Sequence, residues 1–193
     1  MAKLKPGTRE SVKSLYFIAL IPDHEFRREV KKIKENIQES YGSGHALRSP
    51  AHITLHMPFK WRDDRIHILE KNLEDFAADR SGFTIELENF GSFPKRVIFI
   101  NVKESKALNI LHTMLLKMAA QKLKLNNGRY RGMAFHPHMT IAFRDLKPAM
   151  FEEAWQEYQM KKLTHSFTVR SVFLLKHNGT AWDIFKEFSF QSV

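Results

Sequence analysis

The chain predicts an α+β fold in which a β-α-β-α-β unit occurs twice, giving two pseudo-symmetric lobes with antiparallel-rich sheets around a central cleft. Two observations lead there. The first is a duplicated motif, His-x-Thr-apolar, present as His52-Ile53-Thr54-Leu55 and as His138-Met139-Thr140-Ile141. The second is an internal repeat: Thr54 and Thr140 are 86 positions apart, and Phe83-Thr84-Ile85 returns as Phe167-Thr168-Val169 at an offset of 84. Two repeats are too few for a solenoid, so the natural arrangement is one bilobal domain over residues 1–193. Its first repeat spans about 15–92 and its second about 96–190.

The elements follow in order. Leu15 to Ile21 is a continuous apolar run closed by Pro22-Asp23, short enough for a central strand. Phe26, Val30, Ile33 and Ile37 recur at helical spacing, and Gly42-Ser43-Gly44 ends that helix. The first motif strand comes next, and Ile66, Leu69, Leu73 and Phe76 mark a second helix. Phe83 to Phe90 and Val97 to Val102 read as strands joined through Gly91-Ser92-Phe93-Pro94. In the second half, Leu108, Leu111, Leu115 and Met118 mark a helix expected to end near Asn126-Asn127-Gly128 on a left-handed glycine. The second motif strand precedes a helix marked by Phe151, Ala154, Trp155 and Tyr158. Val169 to Lys176 and Trp182 to Phe190 then form a hairpin about His177-Asn178-Gly179-Thr180, where Asn-Gly signals the turn.

Composition narrows the function. Zero cysteines among 193 residues exclude disulfides, thiolate catalysis and Cys-ligated metals. The longest apolar run is too short to span a bilayer, so no membrane association, a cytoplasmic location and a monomer are expected. The net charge of +10 favours a polyanionic partner such as RNA or a nucleotide, because basic side chains on phosphates release condensed counterions. An ordinary solvated basic surface would carry the same number.

Residues i and i+2 of a strand point to one face, so each motif projects an imidazole beside a hydroxyl. Ten histidines and twenty Ser plus Thr predict about one His-x-[Ser/Thr] by chance, so a single copy would mean little. Two copies in matching strand contexts mean more. An imidazole pair can supply a general base and a general acid, and threonine hydroxyls can donate to phosphate oxygens. The chemistry suggested is phosphodiester transfer without a metal or other cofactor.

Other residues extend this candidate site. Strand parity places His56 and His136 on the motif face, where four histidines could instead bind zinc, copper or nickel; no nearby carboxylate joins the pattern, which favours both as cleft-edge hydrogen-bonding groups. Tyr16 and Phe17 alternate faces in the first strand, so one of the two looks into the cleft. Arg129-Tyr130-Arg131 combines cations with a ring on which a base could stack, although a solvated loop explains it as well. A non-catalytic module that binds RNA or a nucleotide in the same basic cleft is the rival to an enzyme.

The paired motifs AHITLHMPF and PHMTIAF, together with the opening strand LYFIALIPD, resemble the two-histidine (2H) phosphoesterase superfamily, which includes LigT-like 2′-5′ RNA ligases and cyclic phosphodiesterases. The resemblance runs from about Leu15 to Phe190. It implies a bilobal α+β fold whose cleft holds both motifs, and metal-independent action on 2′,3′-cyclic or 2′-5′ phosphodiester linkages of RNA or nucleotides, with reverse ligation as an associated activity. It also implies that His52 and His138 are catalytic and that Thr54 and Thr140 hold the phosphate.

Overall fold

Lys13–Leu20 forms the first strand, β1, and its apolar run is buried on both faces, as a strand flanked on both sides requires. The structure is a computed structural model and describes residues 12–126 and 134–191. Pro22 follows β1, and Asp23 caps helix α1 (His24–Tyr41) by accepting a hydrogen bond from Phe26 N at 2.9 Å. Gly42 ends the helix at φ 71°, a left-handed conformation that a side chain would strain. A 3₁₀ turn at His45–Arg48 leads into β2 (Ile53–Arg62). Helix α2 (Ile66–Ala78) buries Leu69, Leu73 and Phe76 at the predicted spacing. Strands β3 (Phe83–Phe93) and β4 (Val97–Val102) precede α3 (Lys106–Lys122), whose Ser105 cap accepts from Leu108 N at 3.2 Å. Then come β5 (His138–Phe143), α4 (Pro148–Tyr158), β6 (Thr164–Val169), β7 (Ser171–His177) and β8 (Trp182–Ser189).

The described strands form two four-stranded antiparallel sheets, ordered β2-β1-β7-β8 and β5-β4-β3-β6. Each half of the chain runs β-α-β-α-β, and β7 and β8 complete the first sheet. Strand β3, from the first half, pairs with β4 and β6 of the second half. One apolar cluster draws on both sheets and on the helices, including Ile18, Val30, Leu69, Ile100, Leu115 and Ile141. A smaller cluster of Phe17, Ala19, Ile21 and Leu175 lies on the opposite face of the first sheet, packed against Phe173 and Trp182.

The hairpin turn is as expected. Asn178 Oδ1 accepts from Thr180 N at 2.9 Å and Ala181 N at 2.8 Å, while Gly179 takes φ 103°. The end of α3 differs from expectation: the helix stops at Lys122. Lys124 takes the left-handed position at φ 57°, and Leu125 N reaches back to Ala119 O at 3.0 Å. This closure seats the partly buried Leu125 against the core, and that apolar contact outweighs the modest cost of a non-glycine residue at positive φ.

Candidate active site

Strands β2 and β5 are edge strands of different sheets, and they lie beside each other. His52 immediately precedes β2, and His138 opens β5. Ile53 and Met139, the residues after each histidine, are fully buried, so alternation turns His52, Thr54, His138 and Thr140 to the other, partly open face.

Both imidazoles are held in the same way. His52 Nδ1 bonds to Pro50 O at 2.8 Å, and His138 Nδ1 bonds to His136 O at 2.8 Å. A carbonyl can only accept, so Nδ1 carries the hydrogen in each ring and Nε2 of the neutral form keeps its lone pair. Each acceptor lies two residues before its histidine, and each short connection contains a proline, Pro50 or Pro137, which limits backbone freedom there. The rings also rest on aromatic neighbours: His52 lies 4.9 Å from Phe17, and His138 lies 5.0 Å from Phe99.

The electrostatics are less symmetric than the geometry. Burial lowers the pKa of His52 to about 4; the Pro50 carbonyl opposes this, and charges on Lys34 and His138 reinforce it. His138 is lowered too, chiefly by burial, with its bond to the His136 carbonyl acting in the opposite direction and the charge on His136 adding to the fall. Lys34 is only 2% exposed, and its Nζ donates to Ala46 O at 3.0 Å and Ser49 O at 3.1 Å. It ties α1 to the segment that delivers Pro50 and His52, and burial brings its own pKa down to about 8.

The remaining candidates divide. Phe17 faces His52. Tyr16 does not: it is fully buried on the opposite face, with its hydroxyl on Asp63 Oδ1 at 3.2 Å and its ring 6.3 Å from Phe59. His56 also leaves the motif face. Thr54 pairs with Ala19, but His56 pairs with Ile18, so Leu55 is an extra residue that shifts the alternation. His56 is consequently 2% exposed and 5.2 Å from Phe59, and its Nδ1 bonds to Met57 O at 2.8 Å. The four-histidine arrangement does not form. Among the described residues, no three His, Asp or Glu side chains group as a metal site would require. His136 stays beside the site, exposed, with its ring 6.2 Å from that of His138. Arg129, Tyr130 and Arg131 lie outside the described residues.

Several contributors were missed by sequence reasoning. Lys34 carried a signal, being four residues from Val30 and three from Ile37 on the apolar face of α1. Phe93 and Phe99 approach the second motif only through the sheet register, which places Asn101 opposite His138 and Phe99 opposite Thr140. Gly91 makes room for both: a Cβ there would lie 2.3 Å from Asn101 Oδ1 and 2.5 Å from the Phe99 ring.

Comparison with known proteins bears on the family and the fold. The 2′-5′ RNA ligase superfamily model matches residues 22–181. A protein of Geobacillus sp. (strain WCH70) that carries a phosphoesterase name is 28% identical over 177 residues, covering 90% of this chain and 94% of the relative. Among solved structures, TT0787 of Thermus thermophilus superposes with a TM-score of 0.64 at 17% identity, covering 92% of this chain and 98% of that one. Apo LigT of E. coli gives a TM-score of 0.60 at 20% identity, covering 94% and 99%. Among the described residues, no helix is long and apolar enough to cross a membrane.

Proposed function

Because the chain belongs to the 2′-5′ RNA ligase superfamily, we propose that it is a metal-independent phosphodiesterase acting on 2′,3′-cyclic or 2′-5′ phosphodiester linkages of RNA or nucleotides, with His52 and His138 as its general base and acid. The observation that carries this reading is the matched fixing of the two rings by Nδ1, which leaves two Nε2 atoms available beside two threonine hydroxyls. The net charge of +10 suits an anionic substrate, and E. coli LigT has been solved with 3′-AMP, NADP+ and ATP.

In hydrolysis of a 2′,3′-cyclic phosphate, the neutral base takes a proton from water as the water oxygen bonds to phosphorus. One ring P–O bond breaks, and the departing ribose oxygen takes its proton from the imidazolium of the second histidine. Each transfer is typically worth about 10²–10⁴-fold. Thr54 and Thr140 donate to the non-bridging oxygens, where charge builds in the transition state. His52 takes the base role because its pKa of about 4 and the nearby Lys34 charge keep it neutral. His138 takes the acid role: the phosphate anion raises the pKa of the ring and so favours its protonated form. Run in the same direction with a 5′-hydroxyl in place of water, the same proton transfers describe ligation.

The test is turnover of nucleoside 2′,3′-cyclic phosphates with EDTA present throughout. Product formation at an undiminished rate is the expected result. Dependence on a restored divalent metal, or tight nucleotide binding without turnover, would replace this reading with a metal-assisted or a purely binding one.

A further inference from the structure

Each motif histidine packs against aromatic rings of its own sheet: a file of rings runs outward from His52, whereas Phe93 and Phe99 both abut His138. On the first sheet, His52 lies 4.9 Å from Phe17, Phe17 meets Trp182 at 4.7 Å nearly edge-on, and Trp182 lies 4.9 Å from His177. On the second sheet, His138 lies 5.0 Å from Phe99 and 5.1 Å from Phe93, whose plane is perpendicular to the imidazole, and the two Phe rings are 4.7 Å apart. The inner rings, Phe17 and Phe99, are buried and support the histidines. The outer ones differ: Phe93 is 37% exposed, and Trp182 is partly open to solvent.

The placement of the outer rings is informative. Since β2 and β5 are neighbours, the histidine pair is at the centre, with β8 on the far side of one sheet and β3 toward the far side of the other. Trp182 and Phe93 therefore flank the pair on opposite sides. Two nucleosides joined through a phosphate held at the histidine pair would extend one toward Trp182 and the other toward Phe93. Solvent-accessible aromatic rings beside a polar site are surfaces on which bases stack, and the stacking tolerates any base.

We infer that Trp182 and Phe93 are stacking platforms for the two nucleobases on either side of the scissile phosphate, so that the preferred substrate is an internucleotide linkage and not a cyclic mononucleotide alone. The inference rests on the phosphodiester reading above. In a 2′-5′ linkage held this way, the free 3′-oxygen bonds to phosphorus and gives its proton to one histidine, while the P–O5′ bond breaks and O5′ takes a proton from the other, each histidine exchanging the role it has in ligation. The products are a 2′,3′-cyclic phosphate and a 5′-hydroxyl nucleoside, with atoms and charge balanced.

The experiment compares binding of 3′-deoxy 2′-5′ ApA, which lacks the attacking hydroxyl, of adenosine 2′-phosphate and of inorganic phosphate to the wild type, Trp182→Leu and Phe93→Leu, by calorimetry. Each substitution should weaken the dinucleotide by about 5- to 150-fold, the range for loss of one base–aromatic stack. For adenosine 2′-phosphate only one of the two should weaken binding, and inorganic phosphate should bind all three proteins alike. Unchanged dinucleotide affinity would overturn the inference. So would equal losses for inorganic phosphate, which would make the rings mere supports of the histidines, or weakening of the mononucleotide by both substitutions, which would mean one base pocket. Binding is read apart from turnover: a protein that holds the dinucleotide at both rings yet cleaves nothing keeps this inference and loses the catalytic one.

Discussion

The Ser43 hydroxyl donates to Asp145 Oδ1 at 2.7 Å, joining the turn after α1 to the loop that follows β5. Asp145 Oδ2 accepts from Gly44 N at 3.0 Å and His45 N at 2.8 Å, so one carboxylate satisfies three donors that lie about a hundred residues away in sequence. The clamp fixes the approach to the first motif against the strand that carries the second. Asp145→Ala would leave the nearly fully buried Ser43 hydroxyl without its acceptor. A stability loss of about 1–3 kcal/mol is expected, together with a fall in kcat larger than the change in KM. Urea denaturation and steady-state kinetics check this, and an unchanged kcat in a destabilised protein would confine the clamp to stability.

The histidines and threonines should differ in severity. His52→Ala and His138→Ala each remove a proton-transfer group and should each lower kcat by at least about 10²-fold with the fold intact by circular dichroism. Thr54→Ala and Thr140→Ala leave acid and base in place and should cost less. If only one histidine proves essential, the paired acid–base mechanism does not hold.

Much of this was legible in the sequence, and the exceptions have physical causes. The duplicated motif, the strand and helix order and the Asn178-Gly179 turn depend on local periodicity and turn chemistry, which a sequence displays directly. His56 was misplaced because a bulge at Leu55 reverses the alternation, and nothing local marks a bulge whose extra residue is an ordinary leucine. Asp145, Phe93 and Trp182 gain their positions from contacts between distant segments. No spacing rule reports the pairing of a carboxylate with backbone N–H groups a hundred residues earlier.

Gly91 offers a test of how closely the second imidazole is supported. With alanine there, the Cβ would meet the Phe99 ring at 2.5 Å, so the ring must shift, and His138 rests on that ring. Gly91→Ala should therefore lower kcat, while substitution of Gly179, where a Cβ would meet nothing within 4 Å, should affect only the turn through its φ of 103°. Equal activity in the wild type and Gly91→Ala would show that Phe99 can move without consequence for His138.

The pH dependence of the reaction follows from the direction of the shifts. Both motif histidines have lowered pKa values in the free protein, His52 to about 4, so the kcat/KM bell should have its basic limb below the ordinary histidine value of about 6.5. A bound phosphate anion favours the imidazolium and raises both values, so the kcat bell should lie at higher pH than the kcat/KM bell. Lys34→Gln removes a charge that lowers His52 and should move the acidic limb of kcat/KM upward. Superimposable bells for kcat and kcat/KM would contradict a phosphate seated between the two rings.

Protein stability should carry its own acid signature, centred on a second histidine pair behind the site. His112 on α3 bonds to the backbone of Leu55 and stacks on Phe135 at 3.6 Å, and His56 lies near enough for its charge to lower the pKa of His112. Burial lowers both, His112 to about 4, and His56 Nε2 is buried without a partner among the described residues. Below about pH 6.5 the unfolded chain protonates at both positions while the folded protein resists, at His112 down to about pH 4, so stability falls as pH falls. Each such histidine contributes up to about 1.4 kcal/mol per pH unit between its unfolded and its folded pKa and nothing above them. His52 and His138 add to the slope in the same sense. Urea midpoints measured from pH 7 to pH 4 should therefore decline for the wild type and decline less steeply for His112→Gln, which retains a donor for Leu55 but does not titrate. An equal slope in the two proteins would mean that His112 takes up its proton in the folded state, and the bridge it makes between the bulge in β2 and the approach to the second motif would then persist when charged.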